Sequence, residues 1–440
     1  MLSLFLLIIL IIAIIIATTK FKLHPFLTLL LAGIVMGFLG GLNSNDILSK
    51  LTEGFGSTLK SIGIVIACGT VIGTFLEKSG GAQTMASSVL KLVGEKRSPL
   101  AMSITGYIVS IPVFCDSGFV ILSALNKALS KKTGLSMTIL AVALATGLYS
   151  THVFVPPTPG PLSAAANIGA DIGLIILLGL VVAIPTTVAG LLWALLYAKR
   201  FLIKSESPSE PTIQPEKQLG AGLSFAPLII PILLISLKSI AEYPTAPFGA
   251  GFIRNLFGFI GHPVMALIIG VFLAFALKRN GSSESYFDWF ADGLKNAGVI
   301  ILITGAGGAF GNVLRATNIG DTLGQDMAQW QLGIFLPFLI SALLKTAQGS
   351  STVALITTSA LVSPLLAPMG LASPVAKALV VLAIGAGSMT VSHVNDSYFW
   401  VVAQFSNMNT STALRCHTLA TLVQGIVGIS VIAILAWILI

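Results

Sequence analysis

In the stretch "SHVNDSYFW", Ser392, His393, Asn395 and Asp396 crowd polar chemistry into five positions of a long apolar run. A charged side chain at the centre of a bilayer costs roughly 2.5–3.5 kcal/mol on insertion scales, so an ionisable residue there points to function. Asp396 can take up and release a proton. His393 can change charge near neutral pH. Ser392 and Asn395 can hydrogen-bond a hydroxyl or carboxylate. Similar groups recur in three other apolar runs: Asp116 and Ser117 in "FCDSGF", His152 in "STHVFVPP", and Lys345, Gln348, Ser350, Ser351 and Thr352 in "LLKTAQGSSTV".

Each group also has a plainer reading. Asp116 in an Asp-Ser-Gly turn can cap a returning helix, and the amides it caps can hold substrate as well. A helix starting near Ser350 offers free N–H groups and the positive end of its dipole to carboxylates or polyol oxygens; small residues there also suit helix packing. Lys345 can snorkel from an interface, but at depth it needs Asp396, Asp116 or an anionic substrate as partner. His152 and His393 adjoin helix breaks, which favours proton-relay or substrate-ligand roles. His24, His262 and His417 sit at segment ends and read as interfacial. Cys68, Cys115 and Cys416 show no metal spacing and no disulfide framework, and nothing implies a metal or cofactor.

The elements that carry these residues must be membrane helices. Hydrophobic residues make up 55% of the chain and charged residues 9%, against about 25% charged in soluble domains. Apolar segments fall at 2–19, 23–42, 58–76, 98–130, 135–168, 171–198, 221–239, 262–277, 297–315, 331–367, 374–404 and 417–440. The first lacks a basic n-region and cleavage site, so it reads as a retained helix with its N-terminus outside. The net charge of +8 fits topology-setting loops rather than nucleic-acid binding. Segments 98–130 and 331–367 have polar centres and arms too short to cross twice, as in re-entrant hairpins. Segments 135–168 and 374–404 read as broken helices, the first interrupted by Pro156, Pro157, Pro159 and Pro161.

The two halves repeat one another. "HPFLTLLLAGIVMGFL" from His24 matches "HPVMALIIGVFLAFAL" from His262, and "GTVIGTFLEKSG" from Gly69 matches "GGAFGNVLRATN" from Gly307, both at an offset of 238. "STHVFVPP" pairs with "VSHVNDSY" at 241. A Ser-, Pro- and Glu-rich stretch, 199–218, lies between. The expected organisation is therefore a first repeat at 1–198, a cytoplasmic linker at 199–220 and a second repeat at 221–440. With ten crossings and an outside N-terminus, most of the 24 Lys and Arg residues fall inside, among them Lys20, Lys78, Lys91, Lys132, Lys199 and Arg200. Five crossings per half invert the second repeat. The hairpin at 98–130 then enters from the cytoplasm and that at 331–367 from outside. Inverted repeats whose discontinuous elements meet at the midplane suit a secondary transporter.

The motifs "THVFVPPTPGP" followed by "DIG", with "SHVND" and the following "FW", resemble the gluconate permease family of bacterial inner-membrane symporters, and the likeness in layout runs nearly end to end. Members resemble the wider ion-transporter superfamily, in which inverted repeats carry paired re-entrant hairpins and an elevator-like motion is inferred. The resemblance implies proton-driven uptake of gluconate or a related hydroxy acid. The chain departs from the family where Thr158 replaces a common His and where "FCDSGF" replaces a bulkier aromatic-acidic run, which points to a site tuned for a different small acid.

The resulting expectation is an all-α polytopic membrane protein of two inverted repeats, each with a re-entrant hairpin and a broken transmembrane helix. It imports a sugar-acid or hydroxy-acid anion with protons across the cell inner membrane, and a homo-oligomer is compatible with it. Asp116 and Asp396 are the proton-coupling candidates. Ser117, His152, Lys345, Gln348, Ser350, Ser351, Thr352, Ser392, His393 and Asn395 are the substrate-binding candidates. The alternatives are a sodium-coupled organic anion symporter, an intramembrane protease using Asp116 with Asp396 or Cys115 with His152, and a channel.

Overall fold

The computed structural model describes residues 9, 13, 14, 16, 17, 20–203, 219–241, 251–278, 285–317, 332–394 and 396–440, and among them it is all-helical. The segment 2–19 lies mostly outside the described residues, as do 204–218 of the linker and Asn395.

Helices α1 (Pro25–Leu39) and α11 (Pro263–Phe275) open in the same way. His24 Nδ1 accepts the Phe26 N–H at 3.3 Å, and His262 Nδ1 accepts the Val264 N–H at 3.4 Å. In both, proline fills the first helical position, where its missing N–H costs nothing. The long helices α2 (Ser44–Lys78) and α12 (Tyr286–Ala316) end at the same offset of 238. Both begin well before the apolar runs expected at 58 and 297. Asn43 caps the first through the Asp46 N–H at 2.9 Å, and Ser285 with Asp288 forms a capping box on the second, so polar first turns continue as helix. α2 bends by 47° between Lys60 and Gly63. The two helices pack on one another.

Two helices escape the apolar pattern: α3 (Gly81–Val93) and α10 (Phe252–Ile260), the latter with no buried residue. The sequence predicts ten crossings. Among the described residues four helical spans are long and apolar enough to cross, or up to six if each bent pair counts once. Segments 98–130, 331–367 and 374–404 form shorter helices because their centres are interrupted, and 23–42 forms the 15-residue α1.

Those interruptions organise the middle of the molecule. Segment 98–130 becomes α4 (Ser98–Val109) and α5 (Cys115–Thr133). Segment 135–168 becomes α6 (Met137–Phe154), buried at every residue, and α7 (Pro159–Ile168). From there α8 (Ile172–Leu196) leads to the linker, and α9 (Ala221–Ala241) follows it. Segment 331–367 becomes α13 (Phe335–Gln348) and α14 (Ser351–Val362), joined through Gly349 at φ +83°. That left-handed conformation suits glycine, which closes α13 with an N–H bond to the Lys345 carbonyl oxygen at 2.8 Å. Segment 374–404 becomes α15 (Pro374–Met389) and α16 (Ser397–Phe405). Between them Val391 adopts φ +57°, a strained conformation for a β-branched residue. The short α17 (Thr410–Ala413), a π-helical turn at Leu414–Thr418 and α18 (Leu419–Leu439) complete the chain.

The outer ends of α4 and α5 meet: Lys132 Nζ lies 2.6 Å from Glu95 Oε2, just before α4. α13 and α14 likewise pack against each other.

Candidate functional site

Two of the interruptions, at Gly349 and at 390–396, meet at one ion pair. Lys345, in the last turn of α13, is fully buried. Its ammonium donates to Asp396 Oδ2 at 2.5 Å and to the Gly349 carbonyl oxygen at 2.6 Å, and it sits 5.9 Å from the centroid of the Tyr149 ring. Of the three partners open to Lys345 at membrane depth, the structure thus presents Asp396.

Asp396 does two things at once. Its Oδ1 accepts the Tyr398 N–H at 3.0 Å and so caps α16. Its Oδ2 accepts from Lys345 and, at 2.5 Å, from Ser392 Oγ. The capping role and the charged pairing coexist because the two oxygens divide them. A buried pair of this kind contributes little net stability, since desolvation offsets the attraction, but breaking it by removing one partner is costly.

Around this centre the other predicted residues fall into three groups. Ser351 Oγ lies 2.6 Å from Tyr149 Oη, which also donates to the Ser388 carbonyl oxygen at 3.3 Å. Ser350 Oγ accepts the Val353 N–H at 3.3 Å and caps α14, while Thr352 is half-buried two residues further on. The Gln348 side chain, like Asn395, lies outside the described residues. In a second group, Asp116 Oδ1 accepts from the exposed Ser397 Oγ at 3.2 Å, linking the start of α5 to the start of α16. Ser117 stands beside the carboxylate of Glu77 near the end of α2. The histidines form the third. His393 Nε2 lies 2.8 Å from the Thr346 carbonyl oxygen, and the buried His152 ring lies 5.9 Å from Phe114 beside Asp116.

One expectation is corrected. Hydropathy makes His417 interfacial, because the last apolar segment begins there. It is fully buried in the π-helical turn, 5.4 Å from the Tyr398 ring, with Nε2 3.2 Å from Ser392 Oγ. His24 and His262, by contrast, are exposed helix caps. Tyr149, Tyr398 and Glu77 also belong to the site without standing out in the sequence. The tyrosines sit inside apolar runs, and Tyr398 donates to the Ala145 carbonyl oxygen at 2.9 Å. A phenol in such a run was the available signal, because a buried tyrosine hydroxyl needs a partner.

The arrangement can hold an anion or a proton, not both independently. One ammonium faces one carboxylate. Protonating the carboxylate leaves the ammonium without an anionic partner, and a second anion can then take its place. Among the described residues no His, Cys, Asp and Glu cluster could hold a metal ion.

The family model described as GntP family permease matches residues 2–439. A gluconate permease of Pseudomonas aeruginosa is 34% identical, over 98% of this chain and 96% of the relative. The D-serine transporter DsdX of Escherichia coli K12 is 32% identical, over 98% and 97%. The crystal structure of the YdaH transporter of Alcanivorax borkumensis superposes with a TM-score of 0.60 at 17% identity, covering 93% of this chain and 98% of that one, a likeness of fold.

Proposed function

The chain belongs to the GntP permease family, and from that premise we propose that it carries gluconate or a related small hydroxy or sugar acid into the cell by proton symport. Family membership makes it a multi-pass permease of the bacterial inner membrane and sets aside the intramembrane protease. The finer reading rests chiefly on the buried Lys345–Asp396 pair. An ammonium there suits the carboxylate of the substrate, and a proton on Asp396 makes it available.

The hydroxyl and amide groups of Ser117, Gln348, Ser350, Ser351, Thr352 and Asn395 are the proposed ligands for substrate oxygens, with His152 and His393 as further candidates. Asp116 is the second proposed proton carrier. Gluconate and D-serine, the substrates named for two relatives, share a carboxylate and at least one hydroxyl, and this shared chemistry is what the site offers. The meeting of Glu95 with Lys132 supports a re-entrant hairpin at 98–130, and the matched caps at His24 and His262 support a duplicated origin of the halves. In this reading the linker is cytoplasmic and the second repeat is inverted.

Purified protein in liposomes, given inward proton and sodium gradients separately, tests the proposal. Labelled gluconate should accumulate under the proton gradient and not under sodium alone. Accumulation driven only by sodium, or mere equilibration down the substrate gradient, would overturn it.

A further inference from the structure

The ion pair is tied to a histidine that the apolar pattern hides. Ser392 Oγ donates to Asp396 Oδ2 at 2.5 Å and stands 3.2 Å from His417 Nε2. A serine hydroxyl has a single proton to give. Because it goes to Asp396, the serine oxygen is an acceptor toward His417. Nε2 must then carry the ring proton, and Nδ1 is the bare nitrogen. That nitrogen is buried and has no hydrogen-bond partner among the described residues.

The serine between them is held firmly. Thr418 Oγ1 donates to the Ser392 carbonyl oxygen at 2.5 Å, and the Ser392 N–H donates to Thr421 Oγ1 at 3.0 Å. His417, Thr418 and Thr421 thus grip one residue from the π-helical turn and the start of α18. π-Bulges inside helices recur at functional sites. Among the described residues neither of the other two site histidines is bonded to Ser392: His393 Nε2 is placed on the Thr346 carbonyl oxygen, and the His152 ring is tilted against Phe114.

We infer that His417 loads the coupling proton: taken up at Nδ1, it is relayed through Ser392 to Asp396, and Lys345 is released for the carboxylate of the substrate. The inference rests on the proton-symport reading above. The transfer balances. Nδ1 gains a proton. Nε2 gives its own proton to Ser392 Oγ while Ser392 gives its proton to Asp396 Oδ2. The ring ends neutral with its proton on Nδ1, the serine is restored, and the net product is a neutral carboxylic acid at Asp396.

The charges also balance. Lys345 and Asp396 sum to zero before loading and to one positive charge after it, which a monoanionic substrate cancels. With a monoanion such as gluconate neither end state strands an unpaired charge in the buried site, whereas zwitterionic D-serine brings its own ammonium with it. When substrate leaves, the ion pair re-forms and the proton is expelled. The titratable and charged groups around His417 are Asp396 and Lys345 beyond Ser392, Tyr398 on α16, Tyr149 and His152 on α6, which packs against the turn, and the exposed Arg415 on the turn itself.

Two variants test the relay in proteoliposomes, with labelled gluconate and D-serine as probes. In His417→Gln the side-chain amide can still donate to Ser392 but cannot carry the proton. In Ser392→Ala the bridge is cut and both ends remain. For each, proton-driven initial uptake should fall on the order of a hundredfold, the low end of the loss when a positioned proton donor is removed. Counterflow, which needs no net proton movement, should fall far less, and the pH dependence of uptake should flatten. Uptake and pH profile equal to the parent in both variants would overturn the relay alone. Equal loss of uptake and counterflow in both would overturn it in favour of a structural or substrate-binding role. Absence of proton-driven accumulation by the parent protein with either probe would overturn the symport reading and the relay together.

Discussion

Gly54 and Gly308 pass so closely, where α2 crosses α12, that a Cβ on Gly54 would stand 2.5 Å from the Gly308 carbonyl oxygen. A Cβ on Gly308 would in turn collide with Thr58 Oγ1. Gly54→Ala and Gly308→Ala should each destabilise the protein by about 1–3 kcal/mol, the usual range for overpacking. Gly56 and Gly298 lie on the same two helices with nothing within 4 Å of their built Cβ positions. Alanine there should be neutral or stabilising by up to about 1 kcal/mol, since it lowers the entropy of the unfolded chain. Thermal unfolding in detergent separates the pairs, and equal effects at all four positions would show that the crossing is looser than these contacts require.

Much of the architecture is legible in the sequence because the bilayer penalises polar groups so heavily. Lys345 and Asp396 stand out in apolar runs for that reason; depth calls for a partner to Lys345, and the fold selects Asp396 from the three open to it. The breaks at Pro156 and Gly349 are local chemistry. The His-Pro helix starts could be matched at a distance of 238 residues because a cap depends only on its neighbours. What stayed hidden depends on tertiary placement. Hydropathy places His417 at the edge of a segment, whereas the packing of the π-helical turn buries it against Tyr398. α3 and α10 are amphipathic and leave no apolar run to find. The polar first turns of α2 and α12 look like loops until their caps are recognised.

The ends of α8 predict opposite sides of the membrane. Its 25 residues rise by about 37 Å. At one end Phe201 accepts from Ser136 at 3.0 Å, near Lys132; at the other, a Cβ on Gly169 would lie 3.8 Å from Lys377 Nζ, at the start of α15. In intact cells a membrane-impermeant thiol reagent should label Ala372→Cys, just before α15, and spare Lys132→Cys until the cells are permeabilised. Losing the exposed Lys132–Glu95 pair should cost no more than about 1 kcal/mol. Labelling of Lys132→Cys from outside would reverse the proposed topology and the sidedness of both hairpins.

Tyr149 predicts a split between binding and turnover. Its hydroxyl holds Ser351 Oγ at 2.6 Å and the Ser388 carbonyl oxygen at 3.3 Å. Tyr149→Phe removes a single oxygen and should cost about 1 kcal/mol of stability. If Ser351 is a substrate ligand that the phenol orients, KM should rise several-fold while the maximal rate changes little. A lower melting temperature with the parental KM would leave Tyr149 as packing and remove Ser351 from the binding site.

Lys345 and Asp396 predict opposite signs for single and double substitutions. Asp396→Asn keeps a side-chain oxygen for the Tyr398 N–H and a partner for Ser392, but it leaves a buried ammonium facing only the Gly349 carbonyl oxygen. Breaking a buried pair from one side costs roughly 3–5 kcal/mol. Lys345→Met should cost a similar amount, because it leaves the Asp396 carboxylate unpaired. The double variant, with no buried charge at this point, should be more stable than either single one. Transport separates the roles further. Asn serves as a helix cap nearly as well as Asp, so a capping role alone predicts normal uphill uptake by Asp396→Asn once expression is matched. A coupling role predicts that uphill uptake is lost, and that the double variant regains stability without regaining it. Recovery of uphill transport in the double variant would mean that the pair only balances charge, and Asp116→Asn would then become the decisive test for the proton carrier.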